Sequence, residues 1–188
     1  GYNNFFLNRP QQRGGGVAIY VKEGPRYVLV PDFCKVTEDY EILTLRENTK
    51  FITVVYRPPH GNTYNFFSFF ENLLDYISVN NLHLVCGGDF NINILESTRE
   101  AADIQKILSS TGFTNLISTA SRVTLNTASA LDLIITNVEN TVLHAGTLAS
   151  GISDHCPVFA AFDCIVTDKK RKFEPLVIQH LSQAALQS

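Results

Sequence analysis

The sequence predicts a layered α/β fold. Short apolar runs alternate with two segments in which apolar residues recur every three or four positions, the patterns of strands and amphipathic helices. Several runs are apolar throughout, which is typical of strands buried on both faces rather than of a β-only sandwich. The chain has 188 residues, 45% of them hydrophobic and 18% charged, which is enough apolar side chain for one full core and excludes disorder for its bulk.

The first third of the chain is rich in predicted strands. We expect strands where β-branched and aromatic residues lie between turn residues, at 17–21, 27–30, 41–45 and 51–56. Pro58 and Pro59 follow the last of these and stop sheet pairing, because proline has no N–H to donate. The glycines at 14–16 precede a strand and lack a following Gly-Lys-Ser/Thr, so they predict a flexible turn and not a phosphate-binding loop.

Two helices are predicted in the middle of the chain. Residues 64–79 carry a wide apolar stripe of phenylalanines and leucines at helical spacing. A second helix is expected around residues 104–108, with Gly112 as its left-handed C-terminal cap. Further strands are expected at 82–86, 131–136 and 157–162, the first of them broken by Gly87-Gly88.

The end of the chain differs in composition from the rest. After Asp163 the sequence becomes basic and then weakly amphipathic, so we divide the chain into a domain at 1–163 and a basic linker and tail at 164–188. The basic run at 169–172 suits a solvated linker better than a contact to nucleic acid or to a nuclear import receptor. Because the chain contains no Met, we interpret it as an excised piece of a longer protein.

Charge, cysteine content and hydropathy narrow the possible partners. The net charge is −3, so nucleic acid would have to be contacted locally, through a few residues or a metal, rather than by broad phosphate neutralisation. The four cysteines lack the paired spacings of a zinc site and are expected to be buried thiols. No stretch approaches 18 uninterrupted apolar residues, so no membrane partner is expected.

Polar residues cluster at the ends of predicted strands: Asp89, Asn91, Asp132, Asp154 and His155. Together these types supply oxygen ligands for a hard cation, a base or water-orienting group, an amide donor and an imidazole for a phosphate oxygen. Each loop taken alone is more typical of an Asx turn or a capped loop. A serine-hydrolase triad is not expected at 153–155, because a working triad converges from separate segments.

Four motifs resemble, in order and approximate spacing, those of the endonuclease/exonuclease/phosphatase superfamily. They are Tyr56-Arg57-Pro58-Pro59 and residues 87–93, 129–135 and 153–157. The resemblance is closest to the endonuclease domain of non-LTR (LINE) retrotransposons of the jockey-like kind. It implies a four-layered α/β sandwich, in which two β-sheets pack between helices, here lacking its first strands.

The resemblance also implies an activity. Such a domain is a Mg²⁺-dependent phosphodiesterase, with Mn²⁺ as an alternative metal, that nicks DNA and leaves a 3′-hydroxyl to prime reverse transcription. The implied partners are DNA and the rest of a retrotransposon polyprotein, including reverse transcriptase. The implied place of action is the nucleus, after synthesis in the cytoplasm.

Roles for individual residues follow from the same resemblance. Asp89 would orient or deprotonate the attacking water, and Asn91 and Tyr56 would bind the scissile phosphate. His155 would stabilise charge on the phosphorane with its tautomer held by Asp132. The remaining candidates are Asp154 as a metal ligand and, as contacts to the substrate, Arg57, His60, Arg122 and Asn126.

Two departures from the family pattern set further expectations. The Asn of the family's first strand and the Glu of its next strand, the principal metal ligand, would both precede Gly1, and Pro59 stands where many relatives place an Asn. A lone Asp154 is a poor site for an ion that prefers several oxygen ligands. We therefore expect this chain to cut DNA weakly or not at all. The alternatives are a catalytically inactive remnant that binds nucleic acid or protein, and a phosphatase on the same fold.

Overall fold

The computed structural model describes residues 1–10, 14–149 and 153–163. In chain order the elements are β1 (Tyr2–Leu7), β2 (Val17–Lys22), β3 (Val28–Leu29), β4 (Lys35–Val36), β5 (Glu41–Glu47), β6 (Lys50–Tyr56), α1 (Thr63–Val79), β7 (His83–Asp89), α2 (Arg99–Thr111), β8 (Thr114–Asn115), β9 (Arg122–Val123), β10 (Ala128–Ser129), β11 (Asp132–Thr136), β12 (Val142–Thr147) and β13 (Val158–Phe162). Short 3₁₀ turns lie at Pro31–Phe33 and Glu139–Thr141.

A seven-stranded mixed sheet forms the centre of the molecule. Its strand order is β3-β5-β6-β7-β11-β8, with β4 also paired to β5. Strands β6 and β7 run parallel, and α1 makes the crossover between them that a parallel pair requires, whereas the other pairs are antiparallel. The end of β6, the end of β7 and the start of β11 therefore lie at one edge of the sheet.

The two helices cover one face of this sheet with a dense apolar core. Five side chains of α1 are fully buried: Phe66, Phe70, Leu73, Leu74 and Ile77. Phe90, which directly follows β7, meets Phe66 and Phe70 edge to face at centroid distances of 5.8 and 5.6 Å. Burial of each such side chain stabilises the fold by about 1.5–3 kcal/mol, so the segment after β7 is held firmly against the core.

A second strand layer lies on the other face of the sheet. Val17 and Ile19 of the β1–β2 hairpin pack against Leu43 and Leu45 of β5. A second hairpin, β12–β13, contacts β11. The α/β sandwich that the sequence predicts is confirmed, although the described residues include no helix outside the hairpins.

Most predicted elements are present, and two differences are informative. Residues Tyr2–Leu7 form β1, which the sequence does not predict because Asn3 and Asn4 interrupt its apolar pattern. The expected break at Gly87-Gly88 is wrong, since β7 continues to Asp89. Gly88 has φ of 150°, and a Cβ there would lie 1.9 Å from the Val55 carbonyl oxygen, so the glycine lets two strands approach rather than ending one.

Three smaller predictions complete the comparison with the sequence. Gly112 ends α2 in the left-handed conformation with φ of 78°, as predicted. The prediction of buried thiols is confirmed for Cys86, whose thiol pKa is raised by burial, and is wrong for Cys34 and Cys156, which are partly exposed. Residues 164–188, with the basic run and Cys164, lie outside the described residues. None of the described helices has the length and apolar character needed to cross a membrane.

Candidate active site

Four polar residues form one row across adjacent strands of the central sheet. Glu41, Tyr56, Asp89 and Asp132 are successive register partners on β5, β6, β7 and β11. Register partners project to the same face, and side chains alternate along a strand, so this row faces the β1–β2 layer together with Leu43. The row therefore lies at the rim between the two strand layers.

Asp89 is held by the loop that follows it. The backbone N–H of Asn91 donates to Asp89 Oδ1 at 2.9 Å, and the Asn91 Nδ2 donates to Oδ2 at 3.1 Å. Asn91 adopts φ of 48°, which turns its amide back toward the carboxylate. Burial raises the pKa of Asp89, and the charge of Asp132 raises it further, while the bond from Asn91 and the charges of His155 and Arg122 oppose the rise.

Asp132 orients the imidazole of His155. The His155 Nδ1 lies 2.9 Å from Asp132 Oδ2, and the Ser121 hydroxyl donates to the same oxygen at 2.8 Å. Ser121 is fully buried and also accepts the backbone N–H groups of Leu131 and Asp132. With Nδ1 directed at the carboxylate, Nε2 is the nitrogen available to a substrate, and the His155 side chain is 33% exposed.

Asp154 pairs with Arg122. The Arg122 Nε donates to Asp154 Oδ2 at 2.7 Å, and this bond lowers the pKa of the Asp154 carboxyl. Arg122 also forms a backbone bridge with His155, and the Val123 N–H donates to the Asp154 carbonyl at 2.9 Å. The ion pair is thus fixed beside the imidazole, with both partners more than 40% exposed.

Among the described residues, one group of two carboxylates and an imidazole could hold a metal. Ligand atoms of Asp89, Asp132 and His155 all lie within 4.8 Å of one another. Because His155 Nδ1 is directed at Asp132, the oxygens of Asp89 and Asp132 are the suitable ligands for a hard divalent cation, with water completing its coordination. The set fits such an ion. Asp154, the ligand predicted from sequence, has its carboxylate on Arg122, and its role remains a prediction.

Tyr56 is flanked by two residues that sequence reasoning misses. The Arg9 guanidinium lies 5.7 Å from the Tyr56 ring centroid, and its Nε donates to Glu41. Glu41 is only 1% exposed, and among the described residues its Oε2 has no hydrogen-bond partner. The sequence could have indicated Glu41, because it is a charged residue at the start of an apolar strand. Nothing in the sequence indicates that Ser121 donates to Asp132.

The other residues predicted to contact substrate differ in their exposure to solvent. Arg57 is buried, whereas His60 is exposed on the loop after it. Asn126 is exposed at the tip between β9 and β10, beside the fully exposed Leu125. The structure therefore brings together Tyr56, Asp89, Asn91, Asp132 and His155, with Asp154 and Arg122 next to them. His60 and Asn126 remain predictions.

Carboxylates, an amide and an imidazole at the strand ends of an α/β sandwich are groups that suit the hydrolysis of phosphoesters. The sequence model of the Endonuclease/Exonuclease/phosphatase family matches residues 1–155, and the chain belongs to this family. The family affiliation expected from the four motifs is thereby confirmed. The family comprises endonucleases, exonucleases and phosphatases, and its enzymes generally use divalent metals.

Solved structures resemble this chain at low sequence identity. The endonuclease domain of TRAS1, a telomere-specific non-LTR retrotransposon, superimposes with a TM-score of 0.69 at 15% identity, covering 88% of this chain and 81% of that one. A 3′ phosphatase, NExo, from Neisseria, bound to product DNA hairpin, gives 0.65 at 16% identity, covering 87% and 80%. An AP endonuclease from Archaeoglobus fulgidus gives 0.64 at 18%, with coverage of 87% and 80%. No curated protein matches the chain.

Proposed function

We propose that this chain is a divalent-metal-dependent DNA endonuclease domain of a non-LTR retrotransposon. It would nick target DNA and leave a 3′-hydroxyl that primes reverse transcription, in the nucleus, as part of a polyprotein with reverse transcriptase. The observation that carries the proposal is the convergence of Asp89, Asp132 and His155 within 4.8 Å at the sheet edge. The order of the four motifs and the fold shared with the TRAS1 endonuclease domain support it.

Asp89 suits the role of the base or water-orienting group. Burial raises the pKa of its carboxyl, which makes the carboxylate a better proton acceptor near neutral pH than an exposed aspartate. The two bonds from Asn91 fix the direction of its lone pairs. Asn91 thus orients Asp89, and its contact with the scissile phosphate is a further part of the proposal.

His155 suits the role of the group that meets the developing negative charge. Its Nδ1 is anchored on Asp132, so Nε2 would face a phosphoryl or leaving oxygen, to which the doubly protonated imidazolium would donate. Tyr56, the next residue along the row from Asp89, would contact the same phosphate. Tyr56, Asp89 and Asp132 start from separate strands, and His155 is anchored on Asp132, so the sheet fixes the spacing of these groups.

Asp89 and Asp132 would hold the metal, Mg²⁺ or Mn²⁺. When bound, the cation would neutralise charge at the phosphoryl and leaving oxygens. Asp154 would help hold it only after exchanging its present partner, Arg122. A divalent metal that neutralises charge locally agrees with a chain whose net charge is −3.

DNA would be contacted at the rim by the β9–β10 hairpin. Arg122 lies beside the site, and Asn126 and Leu125 project from the hairpin tip, where the Thr124 N–H donates to the Thr127 carbonyl at 2.8 Å. A guanidinium would bind phosphate, while an amide and an exposed leucine would reach base edges or steps. On this hairpin, Arg122 and Asn126 are thus the residues that we propose contact DNA.

The test is nicking of supercoiled plasmid with Mg²⁺ or Mn²⁺, beside an EDTA control. We expect metal-dependent nicking that Asp89→Ala and His155→Ala abolish and that Lys106→Ala, an exposed change on α2, leaves intact. A longer form that includes residues encoded upstream is assayed in parallel, since the family's Asn and Glu would strengthen the site. Hydrolysis of 3′-phosphomonoesters without nicking would contradict the proposal and favour a phosphatase.

A further inference from the structure

Arg57 is a buried arginine that ties two loops of the site together. Its side chain is only 4% exposed. The Nε donates to the Phe90 carbonyl at 2.7 Å, one terminal nitrogen donates to the Asn91 carbonyl at 2.7 Å, and the other donates to the Gly61 carbonyl at 3.0 Å. A buried guanidinium is costly unless its donors are satisfied, and here each nitrogen has a carbonyl partner.

The link between Arg57 and Asn91 runs in both directions. While Arg57 donates to the Asn91 carbonyl, the Asn91 Nδ2 donates to the Arg57 carbonyl at 2.8 Å. The Arg57 backbone N–H also donates to the Asp89 carbonyl at 2.9 Å. The segment from Asp89 to Asn91 is therefore fastened to the end of β6 by bonds from backbone and side chain alike.

These bonds determine where the Asp89 carboxylate lies. Asn91 holds both oxygens of Asp89, and it does so from a left-handed backbone conformation with φ of 48°. Asparagine adopts that conformation more readily than most residues with a side chain, and the bond from Arg57 to its carbonyl helps to hold it. The path of positioning is thus from Arg57 to Asn91 to Asp89.

The third bond of the Arg57 side chain, to the Gly61 carbonyl, holds the loop that follows β6. Gly61 packs so closely on the preceding chain that a Cβ there would lie 2.4 Å from the Asp39 carbonyl oxygen. Arg57 therefore connects the loop at 58–61, the segment at 89–91 and the end of β6. A lysine cannot replace it, because one ammonium lacks the planar fork that reaches carbonyls in three directions.

We propose that Arg57 is a positioning residue of the reaction, which acts on Asp89 through Asn91. This rests on the proposed nuclease function and replaces the direct phosphate contact predicted for Arg57 from sequence. The two roles differ in their consequences. A phosphate contact would strengthen DNA binding and its salt dependence, whereas a positioning residue affects the chemical step and leaves binding alone.

Arg57→Lys separates the two roles because lysine keeps the charge. We expect kcat for nicking to fall about 100-fold, as a small misplacement of a catalytic group can cause, with KM within about twofold. The Kd for an uncleaved duplex in EDTA, measured by fluorescence anisotropy, should not change. Near-normal kcat, or a weakened Kd with kcat unchanged, would overturn the proposal.

Asn91→Gly tests the same path without disturbing a buried charge, since glycine accepts φ of 48°. If Arg57 acts through Asn91, the double variant should nick no more slowly than the slower single variant. Independent, multiplicative losses would overturn the path. Lys106→Ala serves as the matched control for exposed changes.

A readout that needs no activity distinguishes failure of this inference from failure of the proposed function. The Asn91 N–H, bonded to Asp89 Oδ1, should exchange with solvent at least about tenfold faster in Arg57→Lys, while amides of α2 keep their protection. This result would support the positioning role even if the wild-type chain did not nick DNA. Unchanged exchange at Asn91 would refute it even if the chain did.

Discussion

The two halves of the site use the same residue type in opposite environments. In the inner half, Asp89 ends β7 beside Asp132, which begins the neighbouring β11, and burial raises the pKa of Asp89. In the outer half, Asp154 lies on an exposed loop, and the bond from Arg122 lowers its pKa. The inner half therefore suits proton transfer and metal binding. The outer half suits contact with a charged polymer, because an exposed ion pair exchanges partners at little cost.

Asp89→Asn should give the largest effect, because it removes the proposed base of the inner half while preserving its shape. General-base catalysis contributes about 10²–10⁴-fold, so nicking should fall by that factor. Thermal unfolding of the variant establishes that the loss is not one of folding. Asp154→Asn is the outer-half counterpart and should lose far less. Equal losses from the two variants would remove the distinction between the halves.

Gly88→Ala should give the next largest effect, on stability. The new Cβ would meet the Val55 carbonyl oxygen at 1.9 Å, and φ of 150° is unfavourable for alanine, so we expect a loss of about 3 kcal/mol or more in the free energy of unfolding. Gly87→Ala is the matched control, since its nearest contact is an ordinary 3.8 Å to the Leu133 carbonyl oxygen. Urea denaturation of both variants makes the measurement. Similar losses would show that the inner half tolerates backbone shifts.

These cases show what could be predicted from the sequence. The apolar periodicity of α1 and the turn residues around the strands predicted the layers, because both signals are local. The polar residues after β7 and before β13 were found for the same reason. Gly88 was misinterpreted because a strand break and a close strand approach use the same residue. Burial of Arg57 depends on segments distant in the chain, and no local pattern in the sequence indicates it.

Arg122→Gln should have a smaller effect, confined to the outer half. Loss of one phosphate contact should weaken DNA binding several-fold at low salt and reduce the salt slope of log Kd by about one. Stability should hardly change, since the pair with Asp154 is exposed. Anisotropy titrations at several salt concentrations measure both quantities. An unchanged slope would show that Arg122 serves Asp154 alone and does not touch DNA.

The pH dependence of stability should give the smallest effect, but with opposite signs in the two halves. The pKa of Asp89 is raised in the folded state, so ionising it costs stability as pH rises above the ordinary carboxyl value of 3.8. The pKa of Asp154 is lowered, so its ionised form adds stability that is lost as pH falls toward and below 3.8.

Urea unfolding in EDTA from acid to neutral pH tests these signs. Relative to wild type, Asp89→Asn should gain stability as pH rises, and Asp154→Asn should lose a little. Replacing an acceptor by a donor beside Asn91 shifts the whole Asp89→Asn curve but not its slope, because that cost does not titrate. If stability relative to wild type changed with pH in the same direction in both variants, burial and the Arg122 bond would not shift the two carboxyl pKa values in opposite directions.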